Sequence, residues 1–206
     1  EAAPRAEALG LHEESAPGLH EQPAPGLHGE TTTAPQAESA SHTEYEGVSI
    51  YALDSAFTDQ DERAVRLKDL AGKVVVAAMT YTSCQAVCPR IVSDMQAIEH
   101  QLPDHARNGV QFVLFSLDPA RDTPEARRRF SKEHQLSEHW QFLAGSDDDV
   151  RDLAAVLGMK YQREDNGDIA HSALIVVLDR TGVVRHRQAG LSDDNTAILA
   201  AIAAAR

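Results

Sequence analysis

The chain has 206 residues, a hydrophobic fraction of 42% and a formal net charge of −13. That length supports one domain with a sizeable core, and the acidic balance opposes nucleic acid as a partner because phosphates would be repelled. No run of eighteen apolar residues occurs, so no segment reads as a membrane-spanning helix.

Residues 1–44 are mostly Ala, Pro, Gly, Glu, Ser, Thr and His, with Leu9, Leu11, Leu19 and Leu27 as large aliphatics. Such a stretch buries too little apolar surface to offset its ordering entropy. It reads as a disordered low-complexity tail or tether ahead of one folded domain over residues 45–206. Within it, Gly-Leu-His recurs with a period of eight, ending at His12, His20 and His28. The period is too short and too polar for a solenoid. A solvated tether is the plainer reading, and a metal-scavenging arm the alternative. No charged segment leading into an apolar core is visible, so no signal peptide is expected.

From Ser49 onward strands and helices alternate. Ile50-Tyr51-Ala52-Leu53 reads as a short strand, Asp59 to Glu62 as a polar turn, and Val65-Arg66-Leu67 as an edge strand. The apolar run Val74 to Met79 suits a central strand buried on both faces. Pro89 fits the first turn of a helix whose apolar stripe is Ile91, Met95, Ile98 and Leu102, ending before Pro103. Val110 to Leu117 is a further strand, and Thr123-Pro124-Glu125 opens a helix with Thr123 as N-cap. Trp140 to Leu143 is a strand, and Ser146 with Asp147 to Asp149 caps a helix reaching Leu157. His171 stands at the mouth of an apolar strand, Ser172 to Leu178, followed by the turn Asp179-Arg180-Thr181-Gly182 and a return strand from Val183. Ser192-Asp193-Asp194 caps a closing helix with Ile198, Leu199 and Ile202 on one face. The pattern predicts an α/β fold, a mixed sheet flanked by helices.

The chain's two cysteines, Cys84 and Cys88, fall between the central strand and its helix. Positions i and i+4 of a helix share a face with Cβ atoms about 5–6 Å apart, so the pair can converge on one metal ion or close a disulfide. A helix N-terminus favours thiolate, which serves both chemistries. Three residues separate the cysteines instead of the two of a dithiol oxidoreductase, and soft thiolates suit Cu(I) or zinc. A third ligand is then needed. His100, His105, His134 and His139 lie in polar stretches, and His186 alternates with Arg185 and Arg187 on an exposed strand. His171, at a strand mouth where functional groups gather, is the candidate, with a structural histidine as the alternative. A structural zinc module lacks an obvious fourth ligand.

Three blocks carry a family resemblance. Tyr81-Thr82-Ser83-Cys84-Gln85-Ala86-Val87-Cys88-Pro89 resembles the Sco/SenC signature YTxCxxxCP. Ser116-Leu117-Asp118-Pro119-Ala120-Arg121-Asp122-Thr123-Pro124-Glu125 is similar to that family's second block, and His171-Ser172 ahead of an apolar strand is similar to its third. Met79, Thr80, Gln85 and Ala170 depart from residues frequent in the family. Met79 reads as a core methionine, with a soft extra ligand as the alternative.

The resemblance implies a thioredoxin-like fold in which Cys84, Cys88 and His171 bind copper, one ion per chain, as Cu(I) and also as Cu(II). It implies a monomeric copper carrier and not an enzyme. The carrier would deliver copper to, or maintain the thiols of, the binuclear copper centre of a cytochrome oxidase subunit, or serve another copper protein. It places Asp118 near the copper, tuning the site or a partner contact without binding the ion. Family members work on the outer side of an energy-transducing membrane. Fifteen arginines against four lysines suggest a GC-rich bacterial genome, hence the periplasm, with membrane attachment only through an anchor outside this chain. The alternative is a thiol-disulfide oxidoreductase working through Cys84 and Cys88.

Overall fold

The computed structural model describes residues 47–85 and 87–206. The tail expected over 1–44 and its Gly-Leu-His repeat lie outside the described residues.

The sheet is built around β3 (Val74–Thr80), every residue of which is buried. It pairs in parallel with β4 (Val110–Ser116), and β4 pairs in parallel with β5 (Trp140–Gly145). On its other side β3 pairs antiparallel with β8 (Leu174–Leu178), which pairs antiparallel with β9 (Val184–Ala189). Two short strands, β1 (Ala56–Thr58) and β2 (Ala64–Arg66), extend the far edge, giving the order β2-β1-β5-β4-β3-β8-β9. The four strands β4-β3-β8-β9, with crossing helices, form a thioredoxin-like core.

Alternate side chains of β3 feed two apolar layers, as a strand buried on both faces requires. Val74, Val76 and Ala78 pack with α1 (Cys88–Gln101), α5 (Thr196–Ala204) and Phe130 of α3 (Pro124–Glu133). Val75, Ala77 and Met79 pack with α4 (Asp147–Leu157) and with Ile50 and Leu67. A one-turn helix, α2 (Asp104–Arg107), leads into β4. Two more strands, β6 (Tyr161–Arg163) and β7 (Ile169–His171), pair only with each other, as a hairpin outside the main sheet.

Most expected elements stand where the sequence places them, including the Thr123 cap of α3 and a reciprocal Ser146–Asp149 capping box on α4. Three differ. Ile50–Ala52 is a 3-10 turn and not a strand, because the Ser49 hydroxyl accepts from Tyr51 N and folds the backbone over. The apolar strand starts at Leu174 and not at Ser172, because Ser172 N donates to Lys160 O to close the β6–β7 hairpin. The Ser192–Asp194 segment turns on itself, and the N-cap of α5 is Asn195.

Asp179 ties the β8–β9 turn. Its carboxylate accepts from Thr181 N at 2.8 Å, Thr181 Oγ1 at 2.7 Å, Val183 N at 3.1 Å and Arg185 Nε at 2.6 Å. Gly182 completes the turn at φ 79°, where a Cβ would stand 2.8 Å from Ser49 Oγ. Burial opposes the charge on Asp179, but the bonds to Thr181 and Arg185 and those from the backbone outweigh it and hold the carboxyl at about 2. The folded value lies below the unfolded one, so this stabilisation is complete above the ordinary Asp range and lost as pH falls towards 2. Discounted for solvent screening at this surface turn, it amounts to about 1–2 kcal/mol. Asp179→Asn should therefore flatten the acid limb of a stability-against-pH curve measured by urea unfolding. A variant curve parallel to that of the parent protein would refute the assignment.

Candidate metal centre

Cys84 lies in the loop that leaves β3, where its N–H donates to Tyr81 O at 3.2 Å. Cys88 is the first residue of α1 and is fully buried. The pair does not share a helix face as the i, i+4 argument expected, since only Cys88 is helical. The turn at Tyr81 brings Cys84 round instead. No disulfide joins the two.

A buried carboxylate moors this loop. Asp122, 1% exposed, accepts from Thr82 N at 2.9 Å and Thr82 Oγ1 at 2.6 Å through Oδ1, and from Ser116 Oγ at 2.6 Å through Oδ2. Burial nevertheless pushes its carboxyl above the usual range.

His171 arrives from the other side, at the end of β7. Its Nδ1 lies 3.2 Å from the Ser172 carbonyl, which can only accept, so Nδ1 carries the proton. Nε2 is left with its lone pair 3.4 Å from Cys88 Sγ. Tyr81 packs edge-on against the imidazole, with centroids 5.9 Å apart at 73°. Ser172 Oγ in turn donates to the Met159 thioether at 3.0 Å.

The ligand atoms of Cys84, Cys88 and His171 all lie within 4.8 Å of one another, the only such triad of His, Cys, Asp or Glu among the described residues. A trigonal ion with bonds of about 2.3 Å to sulfur and about 2.0 Å to nitrogen sets sulfurs about 4 Å apart and sulfur to nitrogen about 3.7 Å. The donors therefore fit one soft ion with sub-ångström adjustment. Burial lowers the His171 pKa, with the Ser172 carbonyl opposing, so the ring is neutral and ready to ligate. Burial also drives the Cys88 thiol far above its ordinary value, against the expectation that the helix N-terminus favours thiolate. Desolvation of a fully buried sulfur outweighs the half-charge of a helix end. An arriving cation supplies the missing compensation as it displaces the proton.

Met79 is fully buried in the apolar layer that also holds Cys84 and Cys88. Asp118 is 2% exposed, and its carboxylate is taken by Arg121 and, at 3.1 Å, by Arg163. Sequence reasoning gave no role to Tyr81, Asp122, Met159 or Arg163. Tyr81 and Asp122 stand inside the quoted motifs, while Arg163 lies in a polar stretch with no pattern to single it out.

Comparison with known proteins agrees with this geometry. Residues 46–205 match the SCO1/SenC family. The SCO1 protein homolog of Bacillus subtilis (strain 168) is 33% identical over 101 residues, which are 48% of this chain and 51% of that protein. The chain thus spans about half that relative's length. A SCO1/SenC family lipoprotein from Bacillus anthracis str. Ames superimposes with a TM-score of 0.68 at 28% identity, covering 76% of this chain and 95% of the other. The structure of Bradyrhizobium japonicum ScoI with copper bound gives 0.58 at 25% identity, covering 74% and 97%. With a match this long, and with the three motif blocks converging on one site, the chain belongs to the SCO1/SenC family.

Proposed function

We propose that this protein carries copper, held by Cys84 Sγ, Cys88 Sγ and His171 Nε2 as one ion per chain. The convergence of these three donors is the observation that carries the reading. The donor set supports it chemically, since two thiolates and a neutral imidazole suit Cu(I) over hard cations. The copper-bound Bradyrhizobium ScoI structure supports it by likeness. His171 is half-buried and Cys84 is 9% exposed, so the site lies near the surface, where an incoming thiol reaches the ion and displaces one ligand at a time.

The acceptor is the binuclear copper centre of a cytochrome oxidase subunit, or another copper protein. A solved relative described as one of the Sco family of cytochrome c oxidase assembly proteins supports this choice. The protein works on the periplasmic side of a bacterial inner membrane, held there by a membrane tether. The Bacillus anthracis relative is a lipoprotein, and no described helix is long and apolar enough to cross a membrane. Residues 45–206 form the carrying domain, and residues 1–44 its tether.

A second reading is disulfide exchange by Cys84 and Cys88, supported by the disulfide switch named for BsSco, the solved relative from the Sco family of cytochrome c oxidase assembly proteins. The raised pKa of Cys88 disfavours it as an attacking thiolate. Anaerobic titration of the reduced protein with Cu(I) against a competing chelator separates the two. One tight equivalent, lost in Cys88→Ser, is expected for the carrier. Weak binding with retained disulfide exchange would leave the second reading in its place.

A further inference from the structure

His171 rides on a small structure. The β6–β7 hairpin has three residues in each strand and pairs with no other strand. Two-stranded hairpins of this size are marginally stable by themselves. The position of His171 over the cysteines therefore depends on what fixes the hairpin to the domain. Ile169 supplies one apolar anchor, 3% exposed, and its N–H reaches the Tyr81 hydroxyl only at 3.4 Å.

A polar anchor is Arg163, at the end of β6. Its Nη1 donates to Asp118 Oδ1 at 3.1 Å, and its Nη2 to Leu117 O at 3.3 Å and Asp147 Oδ1 at 3.1 Å. Asp118 and Leu117 belong to the loop after β4, beside the Asp122 that moors the cysteine loop. Arg121 of that loop grips the hairpin in return, donating to Asp118 and to Gly167 O at the hairpin turn. A buried carboxylate thus receives two guanidinium groups, one from each side of the seam. The planar guanidinium of Arg163, bonded through both Nη atoms to different acceptors, fixes orientation as well as distance.

We propose that Arg163 is a positioning residue of the metal centre: its grip on Asp118 and Leu117 holds the β6–β7 hairpin, and with it His171, against the cysteine loop. This rests on the reading that Cys84, Cys88 and His171 bind one copper ion. Arg163 touches no ligand and acts only through His171. Its side chain is 45% exposed, so the seam lies at the protein surface.

The test is a double-mutant cycle on the full chain, with Cu(I) affinity read against a chelator for the parent protein, Arg163→Met, His171→Ala and the double variant. Loss of a group that orients a metal ligand typically costs about 10–100-fold in affinity. Arg163→Met should weaken binding by that factor in the parent background and by less than about twofold in the His171→Ala background. The X-ray absorption spectrum of copper-loaded Arg163→Met should show a diminished nitrogen shell, which a general loss of stability would not produce. Equal effects in both backgrounds, or Arg163→Met binding like the parent protein while His171→Ala is weakened, would overturn the proposal and leave the three-ligand site standing. His171→Ala binding like the parent protein would overturn the three-ligand site itself. Should Arg163→Met fail to fold, Asp118→Asn replaces it in the cycle with the same expectation.

Discussion

His171→Ala should cost at least about 100-fold in Cu(I) affinity, more than the loss of an outer-sphere partner, while the protein stays folded. The imidazole is half-buried and contributes one edge contact to Tyr81, so its truncation removes little apolar packing. What it removes is the one nitrogen donor whose lone pair faces Cys88 Sγ. Two thiolates alone still hold Cu(I), so residual binding is expected, and disulfide exchange should be largely unchanged because it uses only sulfur. Chelator competition and thermal unfolding on the same samples check both halves. A variant that lost stability and copper together would contradict the division of labour between ligand and scaffold.

Asp122 should show the opposite signature. Asp122→Ala leaves Thr82 N, Thr82 Oγ1 and Ser116 Oγ without their acceptor in a buried place, and removes a carboxylate whose field favours the charge of the buried Arg127. Each orphaned buried group costs about 1–3 kcal/mol, partly relieved by relaxation, so the variant should lose about 3 kcal/mol of stability. Asp122→Asn keeps an acceptor for Thr82 and reverses the bond to Ser116, its amide donating to the hydroxyl, and should lose about 1 kcal/mol. The pH dependence has a defined sign. Burial raises the Asp122 pKa above its unfolded value, so its contribution is most favourable below the ordinary carboxylate range and weakens as pH rises through the raised value. Asp122→Asn should remove that part of the curve. Because Thr82 sits two residues before Cys84, the Ala variant should also bind copper more weakly. Urea unfolding of the three proteins, with copper titration of each, tests the chain from carboxylate to loop to ligand. If the Ala variant matched the Asn variant in stability, the mooring role would be wrong.

Much of this site was legible from residue order. The cysteine pair falls after an apolar run because a strand buried on both faces must be apolar throughout, as β3 is. The caps at Thr123 and Ser146 were visible because capping uses short-range hydroxyl chemistry. The choice of His171 among ten histidines came mainly from motif resemblance. Its hairpin was not legible, because three-residue strands such as Tyr161–Arg163 carry no usable periodicity. The buried supports were not legible either. Asp122 and Arg163 act across 40 and 45 residues of sequence, on Thr82 and on Asp118, and no local pattern announces such pairings. The thiol chemistry departs from the sequence expectation for a related reason. Proximity to a helix end is visible in sequence, whereas the complete burial of Cys88 depends on tertiary packing.

X-ray absorption spectroscopy of the Cu(I)-loaded protein reads out whether two sulfurs and one nitrogen hold the copper. Two sulfurs at about 2.3 Å and one imidazole nitrogen at about 2.0 Å are expected. A first shell of sulfur alone, or of nitrogen and oxygen without sulfur, would contradict the three-ligand site.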